Sequence, residues 1–193
     1  MEKYRDILFS VWREMCRHID IADSTRTVAP VLAERLPLAA LVIRRIDRQH
    51  SSLETVAAAG AGRELAPQIG RTSVSQARLK RLISWADAGQ LLHGQRIKRS
   101  GELALIVPEE LEGEVLVGPL RNADGPAGVL ALIATHARSF KDEHLRIAEQ
   151  LLEPFSVALE NDHRLHELTT LRSTAEADGD SSKIERPFSA ALR

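Results

Sequence analysis

Apolar residues recur at steps of three and four from Glu2 to Ile19, where Tyr4, Leu8, Val11 and Met15 form a stripe that Ile7, Trp12 and Ile19 widen. This is the pattern of an amphipathic helix with one face on a core. A second helix, with Val28, Val31, Leu32 and Leu36 on its apolar face, is expected to start at a cap on Asp23 or Ser24. It should run through Arg35, with Pro37 ending it. Leu38 to Ile46 is β-branched and apolar and reads as a strand. Leu53 to Ala59 reads as its hairpin partner across the polar turn Asp47 to Ser52. In the long middle segment, a helix over Ser73 to Ala86 is expected to turn Val74, Ala77, Leu82 and Trp85 inward. A turn containing Gly89 and Gly94 follows, then a short strand from Leu103 to Val107. Glu114 to Leu120 and Ala127 to Thr135 form a second hairpin, whose turn carries the Asp124-Gly125 pair that supplies a positive φ. The last and longest helix opens at Phe140-Lys141-Asp142-Glu143 and runs to about Arg172. Leu145, Ala148, Leu152, Phe155 and Leu159 lie on one of its faces, and Leu151, Ala158, Leu165 and Leu168 on a neighbouring one. Pro154 inside it should cost about 3 kcal/mol against a good helix former, so the helix kinks there or packing overrides the cost.

This order predicts an α+β fold: a central antiparallel sheet of five to six strands flanked by helices, with long helices at both ends. The chain divides into an N-terminal helix over 1–19, a domain over 20–172 that includes the long closing helix, and a Ser-, Ala- and charge-rich segment over 173–193 expected as a linker or disordered tail.

Composition narrows the function classes. At 44% hydrophobic residues in 193, the chain can bury a full core. The 26 basic and 27 acidic residues leave a net charge of −1, which gives no global pull toward nucleic acid or an anionic membrane. Neither partner is expected. Cys16 is the sole cysteine, which excludes an internal disulfide and a multi-cysteine metal or redox site and makes the cytoplasm the natural compartment. The first residues are charged where a secretory signal needs an apolar run, and the longest apolar stretch, Gly128 to Ala134, is too short to span a bilayer.

The second half resembles a known family. Gly-Glu-Val-Leu-Val-Gly-Pro-Leu at 113–120, Gly-Val-Leu-Ala-Leu-Ile-Ala-Thr at 128–135 and Ser-Phe-Lys-Asp-Glu-His-Leu at 139–145 look like the closing half of GAF domains. The continuation Leu152-Glu153-Pro154-Phe155 with Ala158-Leu159-Glu160-Asn161 is similar to the input domains of sigma-54-dependent activators of the formate-hydrogenlyase-activator type. The resemblance covers about residues 20 to 172. It implies a GAF-like fold and a sensory domain that binds a small molecule or a partner domain and signals through its terminal helices to a transcription-regulating output. No Walker motif or helix-turn-helix lies in these residues, so ATP hydrolysis and DNA reading by those routes are not expected of them.

Several residues carry candidate chemistry. Between Arg71 and Arg99 seven basic residues face a single acid, Asp87, and the resemblance places this stretch over the ligand pocket. Arg71, Arg96 and Lys98 are therefore candidate ligand-binding residues for an anionic effector, through charge-assisted hydrogen bonds. The competing reading is that Glu102, Glu109, Glu110, Glu112 and Glu114 neutralise that run across the surface. Cys16 reads as an ordinary helix cysteine. The seven histidines have no metal-like spacing, His163 and His166 forming a solvated or dimer-seam pair at i, i+3. No nucleophile motif and no phosphate-cradling loop appears, so no enzyme is expected, and no pattern names a cofactor. The closing helix has apolar residues on more than the face its own domain covers, which predicts a homodimer through the terminal helices. A different class of function stays open: a ligand-free dimerisation or interaction module. Small residues at Ala57, Ala58, Ala59 and Ala131 allow a pocket or a closed core, and a polar-lined cavity would favour sensing where a filled core would favour scaffolding.

Overall fold

The computed structural model describes residues 2–17, 20–60, 70–94, 103–107, 111–135 and 139–184, with side chains over 5–173 of these. Six strands form one antiparallel sheet: β1 (Leu38–Asp47), β2 (Ser52–Gly60), β3 (Arg71–Ser73), β4 (Leu92–Gly94), β5 (Val115–Asn122) and β6 (Gly125–Ala134), in the order β3-β2-β1-β6-β5-β4. The helices are α1 (Glu2–Arg17), α2 (Ile21–Ala33), α3 (Gln76–Ala88), α4 (Leu103–Ile106) and α5 (Asp142–Ile184). The α+β plan and both hairpins are as the residue pattern predicts, and Gly125 takes its turn position at φ +109°.

The sheet separates two hydrophobic clusters because side chains alternate across each strand. On one face Leu41, Ile43, Leu116, Leu130 and Leu132 meet Val11 and Met15 of α1, Val28 and Leu32 of α2, and Leu151, Phe155 and Leu159 of α5. On the other, Val42, Ile46, Leu53, Val117 and Ala131 meet Leu79 and Leu82 of α3 and the α4 residues Leu105 and Ile106. Among the described residues, α1, α2 and α5 therefore share one side, and α3 with the single turn of α4 covers the other. α5 comes close to the sheet at Gly128, where a Cβ would lie 2.6 Å from both the Arg44 carbonyl oxygen and a methyl carbon of Leu159.

Five local expectations change. The cap of α2 is Asp20, whose carboxylate accepts the Ala22 N–H at 2.7 Å, rather than Asp23 or Ser24. Ser24 lies within the helix, its hydroxyl donating to the Asp20 carbonyl. The Leu103 to Val107 run is a helical turn, not a strand: an apolar run this short carries no period. The strand that flanks β5 is instead Leu92–Gly94, in the stretch read as a turn. α3 starts at Gln76 after an extended Ser75, and it buries Leu79, Leu82 and Ala86 while Ala77 is exposed. Finally, α5 continues past Arg172 to Ile184, into the segment expected as a tail, and it passes through Pro154, which is buried beside the fully enclosed Phe155.

Candidate functional site

Consecutive arginines on β1 point to opposite faces. The ladder between β1 and β2 slips at this point: Ile43 pairs with Ala57 and Arg44 with Thr55, leaving Val56 as the extra residue of a bulge. Arg44 turns toward α4, in register with Val42 and Ile46, and is 3% exposed. Its Nη1 donates to the carbonyl oxygens of Leu105 at 2.7 Å and Ile106 at 3.4 Å. Its Nη2 donates to the Leu53 carbonyl at 3.1 Å and to the Thr72 hydroxyl at 2.6 Å. Nε is buried with no acceptor among the described residues.

This guanidinium thus ties the carbonyls at the end of α4, which have no partner within so short a helix, to the sheet. It does so with neutral acceptors, and no described carboxylate pairs with it. Burial lowers the Arg44 pKa, yet arginine holds its proton in proteins, so a positive charge sits inside the α3/α4 layer. Taking an ion out of water costs several kcal/mol unless it is compensated. The Nε1 of Trp85, on α3 and packed against this cluster, is a second buried donor without an acceptor among the described residues.

Arg45 faces the long helices. It lies 3.4 Å from a Glu54 carboxylate oxygen, 3.4 Å from His163 Nδ1 and 3.9 Å from a carboxylate oxygen of Asp162. Asp162 is buried on α5, and His166 stands 3.5 Å from it. Burial raises the Asp162 pKa; the charges of His166 and Arg45 and the Ile21 N–H oppose this, but at such separations they do not win. Beside this group lies a cleft of about 540 Å³ whose walls include Arg48, Asp124, Glu160 and Glu167. Its charges are largely committed to one another: Glu160 accepts from Asn122 and Arg164, and His163 meets Glu167.

At the far edge of the sheet, Glu114 accepts the Phe140 N–H at 2.6 Å and lies 2.9 Å from His93 Nε2. The Phe140 ring meets His93 and His144 edge-on. The Phe140 segment is therefore a structural joint between β4, β5 and the start of α5.

Of the residues singled out in the sequence, Arg71 is on the edge strand β3, half-exposed, and binds Asp47 at 2.9 Å, an acid that also accepts from His50. Arg96 and Lys98 lie outside the described residues. Cys16 is exposed on α1. His163 and His166 engage different carboxylates, and no group of three or more His, Cys, Asp or Glu among the described residues could hold a metal ion. Arg44, the most deeply buried cation described, was missed: its strand is legible, but the segment that covers it is about sixty positions away.

No family model matches the chain, and no curated protein does. Solved structures do match. The GAF domain from an Acinetobacter phosphoenolpyruvate-protein phosphotransferase has a TM-score of 0.64 at 15% identity, covering 85% of this chain and 96% of its own. The A. aeolicus nlh2 GAF domain, in an inactive state, gives 0.55 at 15% identity, over 85% and 97%. Free methionine-R-sulfoxide reductase from Neisseria meningitidis, in complex with its substrate, gives 0.60 at 18% identity, over 84% and 91%. The fold is that of GAF domains.

Proposed function

We propose that this chain is a sensory, non-catalytic GAF module. It holds a small molecule in the α3/α4 layer and reports occupancy through α1, α2 and α5 to a transcription-regulating output domain, in the manner of the cytoplasmic sigma-54-dependent activators its closing helix resembles. The observation that carries this reading is the division of the molecule by its sheet. One side is given to α1, α2 and the 43-residue α5, and the other to α3 and the short α4, which a buried cation fastens to the sheet. A ligand on the α3/α4 side acts only by binding one arrangement of the helices better than another. The sole cysteine argues against the thiol chemistry of a sulfoxide reductase, which draws on several thiols to attack and resolve.

A second reading has its own support. Leu79, Leu82, Leu105, Ile106 and Val107 fill the α3/α4 layer, as they would in a ligand-free dimerisation or docking scaffold. A thermal-shift screen of a broad metabolite library separates the two. A ligand at one hundred times its Kd adds about 2.7 kcal/mol of stability, so a sensor gives clear hits. No shift across the library would refute sensing and leave the scaffold.

A further inference from the structure

We propose that Arg44 is a receptor for an oxyanion, and that the ligand reaches it by lifting α4; this rests on the sensor reading above and names the chemistry of the ligand. Four contacts of the guanidinium are spent on three carbonyls and one hydroxyl, all neutral, and the Nε–H has no acceptor among the described residues. A neutral acceptor leaves the guanidinium charge uncompensated, whereas an anion adds the Coulomb attraction of unlike charges, which is stronger away from water, to the hydrogen bond itself. A carboxylate or phosphate oxygen at Nε therefore gains the bond that nothing described supplies, and it cancels the buried charge that the carbonyls leave standing.

The planar fork of arginine binds such groups through two parallel N–H donors, and Nε with Nη2 offers one such edge. Thr72 stands beside Nη2, and its hydroxyl, which accepts there now, can rotate to donate to an anion. Arg44 is 3% exposed, so an anion cannot arrive without a part of its cover moving. The lightest cover is α4, a single helical turn of four residues held at its carbonyl end by the same guanidinium. Receptor and latch are one group: the ligand takes the Nε–Nη2 edge of the same guanidinium whose Nη1 holds the α4 carbonyls, so a shift of the fork toward the anion loosens the cover. The walls around the charge are Val42, Ile46, Leu53, Leu105 and Ile106, so the ligand is small, with little polar surface beyond its anionic head.

The test reads Arg44 directly. Protein labelled with nitrogen-15 is titrated with sodium acetate, sodium succinate and inorganic phosphate, with acetamide and sodium chloride as controls at matched ionic strength. The Arg44 Nε–H signal is assigned by its loss in Arg44→Lys. Saturable movement of that signal with an anion, and none with acetamide or chloride, is the expected result. Response to the two carboxylates alone assigns a carboxylate ligand, and response to phosphate alone assigns a phosphate. Arg44→Lys keeps the charge but not the fork, and is expected to weaken the binding, read by thermal shift, by about tenfold or more. Absence of any anion-specific movement overturns the proposal. So does a change in the Nε–H signal of the free protein on Glu102→Gln, Glu109→Gln or Glu110→Gln, which would mean that the chain fills the site with its own carboxylate. If neutral compounds from the library stabilise the protein while Arg44 stays silent, the receptor fails and the sensor stands. If nothing in either experiment binds, both fail.

Discussion

His144 shows how one side chain can fix the start of a long helix. Its Nδ1 accepts the Lys141 N–H at 3.0 Å, reaching back from the third helical position as a capping-box glutamate or glutamine does. That acceptor exists only in the neutral ring, and burial, which outweighs Glu143 nearby, lowers the His144 pKa below the usual value of 6.5. The unfolded chain takes up the proton first, so the contribution of this group is complete above pH 6.5 and is lost as the pH falls below it. His144→Gln keeps the acceptor without the titration. Urea unfolding at a series of pH values should show a shallower loss of stability below pH 6.5 in the variant than in the parent. Asp162 runs the other way. Its pKa lies above the ordinary 3.8, so its contribution is present below 3.8 and is lost as the pH rises through the folded-state value. Asp162→Asn, which resembles the protonated acid, is expected to raise the thermal midpoint at pH 7, and the gain should vanish near pH 3.8. A lower midpoint at pH 7 would mean that Arg45 and His166 outweigh burial. Neither histidine nor aspartate could be ranked from the chain alone, because burial of a group on α5 is set by elements distant in the sequence, chiefly β5, β6 and α1. Arg44 was hidden for the same reason. The period of two says that Arg44 and Arg45 face apart, but not which face α4 closes.

Elements with a period of their own were legible; those placed by distant partners were not. Both hairpins, α1 and the opening of α5 follow from alternation, from three-four spacing and from the Asp124-Gly125 turn. The strands β3 and β4 have three residues each, too few to show a period, and exist because β2 and β5 offer them edges. α4 is a single turn, too short to show a period, and Arg44, distant in the chain, takes carbonyls at its end. The cap of α2 was misplaced because Asp20, Asp23 and Ser24 are all competent caps, and only the extended backbone at Asp20 decides. The contact between α5 and β6 supplies an element-scale prediction. Gly128→Ala would drive a methyl group into the Arg44 carbonyl, a backbone atom that cannot step aside, and into Leu159. Loss of about 1–3 kcal/mol is expected, measured by chemical denaturation. An unchanged midpoint would show that the two layers have slack there.

At the scale of the molecule, α5 outruns the core that steadies it. Leu151, Phe155 and Leu159 are enclosed, whereas Leu165 is 39% exposed and Leu168 and Leu171 are each 65% exposed. These three keep to one side of the helix by their spacing, and neither hydrophobic cluster of the described residues includes them. In the proposed homodimer they meet their equivalents in a second copy, along helices that run side by side. Light scattering should then give twice the chain mass, and Leu168→Glu with Leu171→Glu should return the mass of one chain without lowering the thermal midpoint of the core. A single-chain mass for the parent protein at high concentration would sink the dimer. The sequence anticipated that α5 has more apolar faces than one domain can cover; it did not anticipate continuation to Ile184, because 173–184 lacks the apolar repeat by which a packed helix is recognised.

The bulge opposite Arg44 has a consequence for how a message could cross this molecule. Arg44 and Arg45 share one peptide plane, so a pull on the first cannot leave the anchor point of the second where it was. From Ala40 to Ile43 the ladders on both sides are in register and would resist such a pull. At Val56 the neighbouring strand holds one residue too many, and the seam has play where the two arginines need it. No hinge, and no column of side chains from end to end, is then required: the route from the α4 side to Asp162 is one strand thick.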